Sequence, residues 1–494
     1  MKLRHPSIPS AMRSSVSTFA SVALAAATGV SGIELDVNST SSVYDAAQMI
    51  ATNVMARYQN SSAAPGLFGQ PYYFWEAGLA WDAMINYASA TGDSQWNDMI
   101  AENILFQKGP DNDFMPPNQT KNLGNDDQAR WALAAMTAAE RGFPLPEDAG
   151  VGNWSELAIN VWNSQVARWD NSTCGGGLRW QIFPFNNGYD YKNSFSNGEF
   201  VQLGTRLARC TGNDTYIDWA RDAARWAVDV GLIDQEGRVL DGTSSAQNCS
   251  QFNHIQWTAS TGAYLSGSAY AANYTRTVRW TGYQSVLFLT ANATFFDDGV
   301  MYEVACEPNM NCNVDQQAFK AMLVRALANT KTLGATGEIT QGEGCGFNNT
   351  GPCTTIGSSR EVIQGWLEST AKAAAASCEM QDAGLMCGTS WRQDGYDGQS
   401  GLGQDLNALE AVLAVLPQYE YQTTVPANSI GLPGGYQSPT SSDTPGNSSS
   451  SNSSSPSSSA SSSSPASYDN AAGASSAPLL ALVAAAGVMV AFSM

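Results

Sequence analysis

Apolar residues recur three and four positions apart through most of residues 40–416. That spacing belongs to amphipathic helices, not to strands, whose apolar positions alternate. It predicts helices over 44–58, 76–90, 128–140, 154–169, 198–210, 216–230, 261–272, 282–293, 316–327, 362–377 and 402–416. Sustained alternating runs are few. One unit recurs. Ala83-Met84-Ile85-Asn86-Tyr87 leads to Thr91-Gly92-Asp93-Ser94-Gln95-Trp96, and Gly204-Thr205-Arg206-Leu207 leads to Thr211-Gly212-Asn213-Asp214-Thr215-Tyr216. In both, a glycine able to take the left-handed conformation ends one helix, and a polar cap with an aromatic opens the next. Stacked helical hairpins follow, giving an all-α fold. Twelve helices at about 33 residues each with its connection fill residues 33–425. Six hairpins closed into an (α/α)6 barrel fit that arithmetic, and so does an open solenoid.

The ends follow other rules. Lys2, Arg4 and Arg13 precede an apolar stretch, 19–27, and the small residues Gly29, Ser31 and Gly32. Residues 1–32 are therefore expected to be a signal peptide, cut near 30–33. Residues 426–470 form a Ser-rich stalk suited to O-glycosylation. Residues 471–494 end in an apolar run with no basic flank. After Asn470-Ala471-Ala472 this reads as a glycosylphosphatidylinositol (GPI) signal that is removed, with Asn470 as attachment residue and Gly473 second. A tail-anchored helix is the alternative. The chain is thus expected in the secretory pathway and at the cell surface, GPI-anchored to the plasma membrane, the cell wall or both.

Sequons fit that route. Asn38, Asn60, Asn118, Asn153, Asn171, Asn213, Asn248, Asn273, Asn292 and Asn348 stand in the globular part, and Asn447 and Asn452 in the stalk. The nine cysteines should be mostly paired in an oxidising compartment. Cys306/Cys312, Cys345/Cys353 and Cys378/Cys387 can close short loops, Cys174/Cys249 a longer one, and Cys210 is left over in an apolar stretch. With two histidines, and no His/Cys cluster at ligand spacing, no metal site or cofactor is expected. A formal charge of −20 sets the chain against nucleic acid.

The chemistry concentrates at Gly124-Asn125-Asp126-Asp127-Gln128. Adjacent carboxylates in a closed site repel, which splits their pKa values and keeps one protonated near neutral pH. Glycoside hydrolysis needs such a pair. The same residues also make a good helix N-terminus. The two readings are compatible, because side chains converge at a helix start and diverge by about 100° within a helix. Loops at 70–76, 175–181, 189–194 and 395–398 are rich in Gly, aromatics and amides, which suit sugar faces and hydroxyls.

These motifs resemble glycoside hydrolase family 76, the endo-α-1,6-mannanases. The resemblance rests on Phe74-Trp75-Glu76-Ala77-Gly78, Asn125-Asp126-Asp127-Gln128, Gly176-Gly177-Leu178-Arg179-Trp180, Asn193-Ser194-Phe195-Ser196-Asn197-Gly198, Val239-Leu240-Asp241-Gly242 and Gly403-Gln404-Asp405-Leu406-Asn407. The chain departs from the family pattern at Trp257-Thr258-Ala259-Ser260-Thr261-Gly262, where an aromatic-Asn-x-Gly start is expected. The resemblance implies an (α/α)6 barrel and a retaining mechanism, with Asp126 as nucleophile and Asp127 as general acid/base. Together with the loops it nominates Trp75, Glu76, Asn125, Trp180, Asn193, Asn197, Asp241 and Asp397 for substrate binding. It implies α-1,6-mannan or the GPI-core glycan as donor. Water serves as acceptor in hydrolysis, and wall glucan in transglycosylation. A non-catalytic mannan-binding wall protein on the same fold is the competing reading, and a structural solenoid a third.

Overall fold

The computed structural model describes residues 32–416 except 60, 62, 120, 121, 334–337 and 342–353. The signal peptide, stalk, GPI signal, Asn60, Asn348 and the Cys345/Cys353 pairing lie outside the described residues. Twelve helices are described: α1 (Thr40–Gln59), α2 (Phe74–Thr91), α3 (Asn97–Phe106), α4 (Asn125–Arg141), α5 (Trp154–Ala167), α6 (Ser194–Thr211), α7 (Asp214–Val230), α8 (Thr258–Thr275), α9 (Val278–Phe295), α10 (Lys320–Leu333), α11 (Ser359–Ala376) and α12 (Leu402–Leu413). None is long and apolar enough to cross a membrane.

One expectation is corrected. Helix α3 was not among the predicted runs, because only Ile100, Ala101, Asn103 and Ile104 of its ten residues are buried. Short strands also occur in the connections. β1 (Tyr191–Asn193), β2 (Gly242–Ser244) and β3 (Phe252–Asn253) form one antiparallel sheet, with Asn193 opposite Gly242 and Gly242 opposite Asn253. Three two-stranded ribbons complete the set: β4 (Phe296–Asp297) with β5 (Val300–Met301), β6 (Glu338–Gln341) with β7 (Thr354–Ser358), and β8 (Cys378–Gln381) with β9 (Gly384–Cys387). At two to five residues, such strands are too short to leave a period-2 signal.

The even-numbered helices pack in sequence, α2 on α4, α4 on α6, α6 on α8, α8 on α10 and α10 on α12, and α12 returns to α2. The odd-numbered helices α5, α7, α9 and α11 pack outside α4, α6, α8 and α10. Sequence separates the two layers. Helix α7 buries one stripe, including Tyr216, Ile217, Trp219, Ala220, Ala223 and Ala224, and leaves the other face to water. Helix α8 buries fifteen of its eighteen residues. Its small residues permit close approach on both sides. A side chain at Gly262 would strike the Met322 backbone, and one at Gly267 would press on Gln202. The expected turns at Gly92 and Gly212 are present, both left-handed, with φ of 78° and 70°.

Buried charges inside the ring are paired, as burial requires. Arg206 grips Glu140 through two contacts of 3.0 Å. Arg130 meets Glu199 at 2.6 Å, and Arg325 bridges Glu410 and Asp82. Disulfides join Cys174–Cys249, Cys306–Cys312 and Cys378–Cys387, and Cys210 is a buried free thiol. Among the sequons, Asn38, Asn118, Asn171 and Asn248 are exposed. Asn153 and Asn213 cap α5 and α7, and Asn292 is half-buried. Asn273 is half-buried, and its amide nitrogen donates to the Leu333 carbonyl at 2.9 Å.

Candidate active site

Helix α4 starts where it does because Gly124 holds an extended backbone, φ −89° and ψ 163°, and brings no side chain of its own. The cap comes from the third helical residue: Asp127 Oδ2 accepts the Gly124 N–H at 2.7 Å. Helix α2 opens the same way, with Glu76 Oε2 accepting the Tyr73 N–H at 2.7 Å. At α6, Asn193 Oδ1 accepts the Ser196 N–H at 3.3 Å. Residues from the starts of α2, α4, α6 and α8 line one cleft of about 1470 Å³. The positive ends of four helix dipoles therefore surround it.

Asn125 fixes the first turn of α4. Its amide donates to Arg179 O at 2.8 Å and accepts from Arg168 Nε at 2.9 Å, while its main chain bonds Trp180 O and Gln165. The next residue faces the cleft. Asp126 Oδ2 accepts from Asn193 Nδ2 at 2.9 Å, and Oδ1 accepts the Asp127 N–H at 3.0 Å. Asp126 Oδ1 and Asp127 Oδ2 both lie within 2.9 Å of the point a Cβ on Gly124 would occupy. These two oxygens are therefore no more than about 5.2 Å apart, shorter than the ~6.5–9.5 Å of inverting glycosidases and compatible with the ~5–5.5 Å of retaining ones.

Burial raises the Asp126 carboxyl to about 6, a rise limited by its bonds to Asn193 and the Asp127 N–H. Burial lifts Asp127 well above the usual carboxylate range. The charge of Asp126 and that of Asp315 push it further, against the Gly124 N–H. The physical split is clear: the second aspartate holds its proton more strongly than the first.

Trp75, Trp180, Asn193 and Asp241, nominated from sequence, line the cleft. Asp241 collects Tyr191 Oη at 2.5 Å, Trp257 Nε1 at 2.8 Å and Asn253 Nδ2 at 2.9 Å, tying β1, β3 and the start of α8 into one wall. Four other nominees are not among the residues that line the cleft. Glu76 is spent on its helix cap, and burial lifts it to about 8. Asn125 is consumed by the α4 start. Asn197 bonds both the N–H and C=O of Leu178. Asp397 gathers the N–H groups of Thr389, Ser390 and Gln399 in its own loop.

Asp315 was missed. It lines the cleft and accepts Trp75 Nε1 at 2.8 Å. Its sequence signal is the run Asn313-Val314-Asp315-Gln316-Gln317, which resembles the start of α4 and stands just before the predicted helix 316–327. At the departure near Trp257, Trp257 itself lines the cleft, and Ala259 and Ser260 supply small residues beside it. Among the described residues, Arg57 is the single cation of the lining, and its Nε is bound to Asp405 at 2.5 Å.

Two carboxylic acids whose proton affinities are driven apart, facing aromatic rings and amides, are equipped for the chemistry of sugar transfer. The chain is a mostly helical glycosidase. Comparison with known proteins narrows this. Residues 42–338 and 353–427 match the model of glycosyl hydrolase family 76, and the chain belongs to that family. Mannan endo-1,6-alpha-mannosidase DCW1 of Saccharomyces cerevisiae is 41% identical over 385 residues, covering 77% of this chain and 80% of that protein. The DCW1 enzyme of Candida albicans is 38% identical over 426 residues, covering 84% and 89%. The crystal structure of Dfg5 from Chaetomium thermophilum in complex with glucosamine superposes with a TM-score of 0.69 at 34% identity, covering 77% of this chain and 91% of that one. An α-1,6-mannanase of Salegentibacter shares the fold, at 18% identity and a TM-score of 0.58 over 75% and 98% of the chains.

Proposed function

We propose that this chain is a fungal cell-surface glycosidase that cleaves α-1,6-mannosidic bonds with retention, in mannan or in the GPI-core glycan. The closed circuit of even-numbered helices, wrapped by odd-numbered ones, is read as an (α/α)6 barrel whose open end is the cleft. The relatives named mannan endo-1,6-alpha-mannosidase support the substrate. The single observation that carries the mechanism is the convergence of Asp126 and Asp127 at Gly124.

Asp126 is the nucleophile. Its carboxylate is held by Asn193 and by the N-terminus of α4, and it attacks the anomeric carbon. As the C–O bond to the leaving sugar breaks, Asp127 gives that oxygen its proton from Oδ1, because Oδ2 is engaged by Gly124. The mannosyl ester on Asp126 is then released. Asp127, now a carboxylate, takes the proton of the incoming hydroxyl as its oxygen bonds the anomeric carbon. With water this is hydrolysis, and with a hydroxyl of wall glucan it is transglycosylation. The signal peptide, the stalk and GPI attachment at Asn470 would hold the barrel at the plasma membrane or wall.

The test combines two variants and a trap. Asp126→Asn and Asp127→Asn are each expected to reduce turnover of α-1,6-mannan by at least about a thousandfold with folding intact. An activated α-mannosyl fluoride should leave a mannosyl adduct on the peptide carrying Asp126, seen by mass spectrometry. Wild-type turnover in either variant, or an adduct on another residue, refutes the assignment.

A further inference from the structure

Beside the cleft runs a loop that the mechanism does not use. It leaves the wall at Trp180 and Gln181, turns through Ile182-Phe183-Pro184-Phe185-Asn186-Asn187-Gly188 and re-enters at β1. It is tied down at both ends. Trp180 N donates to Tyr191 O at 2.6 Å, and Trp180 O accepts the N–H of Asn125 at the start of the catalytic helix. Ile182 N donates to the carbonyl of Leu123, itself a cleft residue, at 3.2 Å. Asn186 Nδ2 donates to Gln181 Oε1 at 3.0 Å, folding the tip back onto the rim. Gly188, at φ +90°, lies so close to the Trp180 ring that any side chain there would strike it. The loop is therefore a compact wrap around Trp180.

On this fixed support Phe183 and Phe185 stack, with ring centroids 5.5 Å apart and planes 13° from parallel. Phe183 packs on the core, while Phe185 is 72% exposed. Trp180, at the cleft wall, is 38% exposed. A held, water-facing aromatic face costs stability unless something covers it. The loop carries no charged residue, only aromatics, Pro, Ile, Gly and amides. A protein of charge −20 is also repelled by anionic surfaces. A neutral saccharide suits the face: its C–H surface stacks on the ring and its hydroxyls meet the amides.

We propose that Phe185, supported by Phe183, is a distal saccharide platform. It holds a sugar chain that extends out of the cleft past Trp180. This rests on the glycosidase reading above and adds to it a preference for long chains, since Phe183 and Phe185 lie outside the lining of the cleft.

Phe185→Ala is compared with wild type on long α-1,6-mannan and on α-mannosyl fluoride. The ratio of kcat/KM on the polymer to that on the fluoride is expected to fall about tenfold, through KM for the polymer, and Phe185→Trp should restore it. A second measurement is independent of turnover. The Asp127→Asn protein should be retarded in a native gel containing α-1,6-mannan, and adding Phe185→Ala should weaken the retardation. An unchanged ratio with unchanged retardation overturns the platform and leaves the catalytic assignment standing. A wild-type protein inactive on both substrates refutes the glycosidase reading instead, and the gel then decides the platform alone.

Discussion

Asn193 does two jobs with one side chain, and they can be separated. Its Oδ1 caps α6 through the Ser196 N–H, and its Nδ2 donates to Asp126 Oδ2 at 2.9 Å. Serine at this position still caps a helix well but is too short to carry the amide donor. Asn193→Ser should therefore spare stability to within about 1 kcal/mol while removing one bond to the ionised form of Asp126, the proposed nucleophile. A hydrogen bond to a charged group is worth about 1.5–3 kcal/mol. At 1.36 kcal/mol per unit, the loss raises the Asp126 carboxyl by about 1–2 units. From about 6 it moves to roughly 7–8. The nucleophile must be ionised, so the acid limb of kcat/KM follows it upward. At pH 6 the ionised fraction falls from about one half to between a tenth and a hundredth, a loss of roughly 5- to 50-fold that alkaline pH partly reverses. The assay is the pH profile of kcat/KM on an α-mannosyl fluoride, beside thermal melts of both proteins. An acid limb that stays near pH 6 in a folded Asn193→Ser protein refutes the assignment of that limb to Asp126.

Gly124→Ala should cost at least about a hundredfold in kcat with the fold retained by circular dichroism, because its Cβ would collide with the carboxylates of Asp126 and Asp127, the proposed catalytic pair; near-normal turnover would show that the pair can move apart without penalty. Glu303, whose carboxyl accepts the N–H and hydroxyl of Thr258 at the start of α8, is pushed by burial to about 8. The folded chain keeps that proton until about pH 8 while the unfolded chain releases it near 4.5, so the stabilisation is complete below 4.5 and lost as pH rises to 8. Glu76, also raised to about 8, acts in the same direction. Melting temperature should thus fall between pH 5 and pH 8, and Glu303→Gln should flatten that fall. The Cys174–Cys249 bridge closes a loop of 75 residues. Its loss in a double Cys→Ser variant should cost about 4 kcal/mol in denaturant unfolding, and an unchanged midpoint would contradict that.

The helical frame was legible because apolar spacing is a local property. So was the start of α4, since a glycine followed by Asn-Asp-Asp is both a cap and a site. The disulfide Cys174–Cys249 matches the expected pairing, although spacing alone does not dictate it. What sequence could not separate was the polar residue that faces the cleft from the one that braces it. Asn197 and Asn193 stand four residues apart on one helix start, yet only Asn193 reaches Asp126, while Asn197 is spent on Leu178. Both look alike because a buried amide must be bonded wherever it lies. Asp315 was hidden for a different reason. Its partner Trp75 is 240 residues away, and no local pattern records such a pairing.

The same capping geometry bears on how one residue could serve as acid and then as base. Asp127 is held protonated by burial and, next, by the charge of Asp126. In the proposed glycosyl-enzyme, Asp126 has become an ester and that charge is gone. The bond from the Gly124 N–H to Asp127 Oδ2 and the dipole of α4 remain, and both favour the carboxylate. The chemical step that consumes the proton of Asp127 thus also removes the second-largest reason for holding one. Asp127 enters the second half-reaction with a lowered proton affinity, suited to drawing a proton from water or a sugar hydroxyl. When the ester is cleaved, the Asp126 charge returns and drives Asp127 back to its acid form. Adjacency at a helix start makes this coupling strong, since the two carboxylates share one glycine. A pair placed on separate elements at the ~6.5–9.5 Å of inverting enzymes would feel it less.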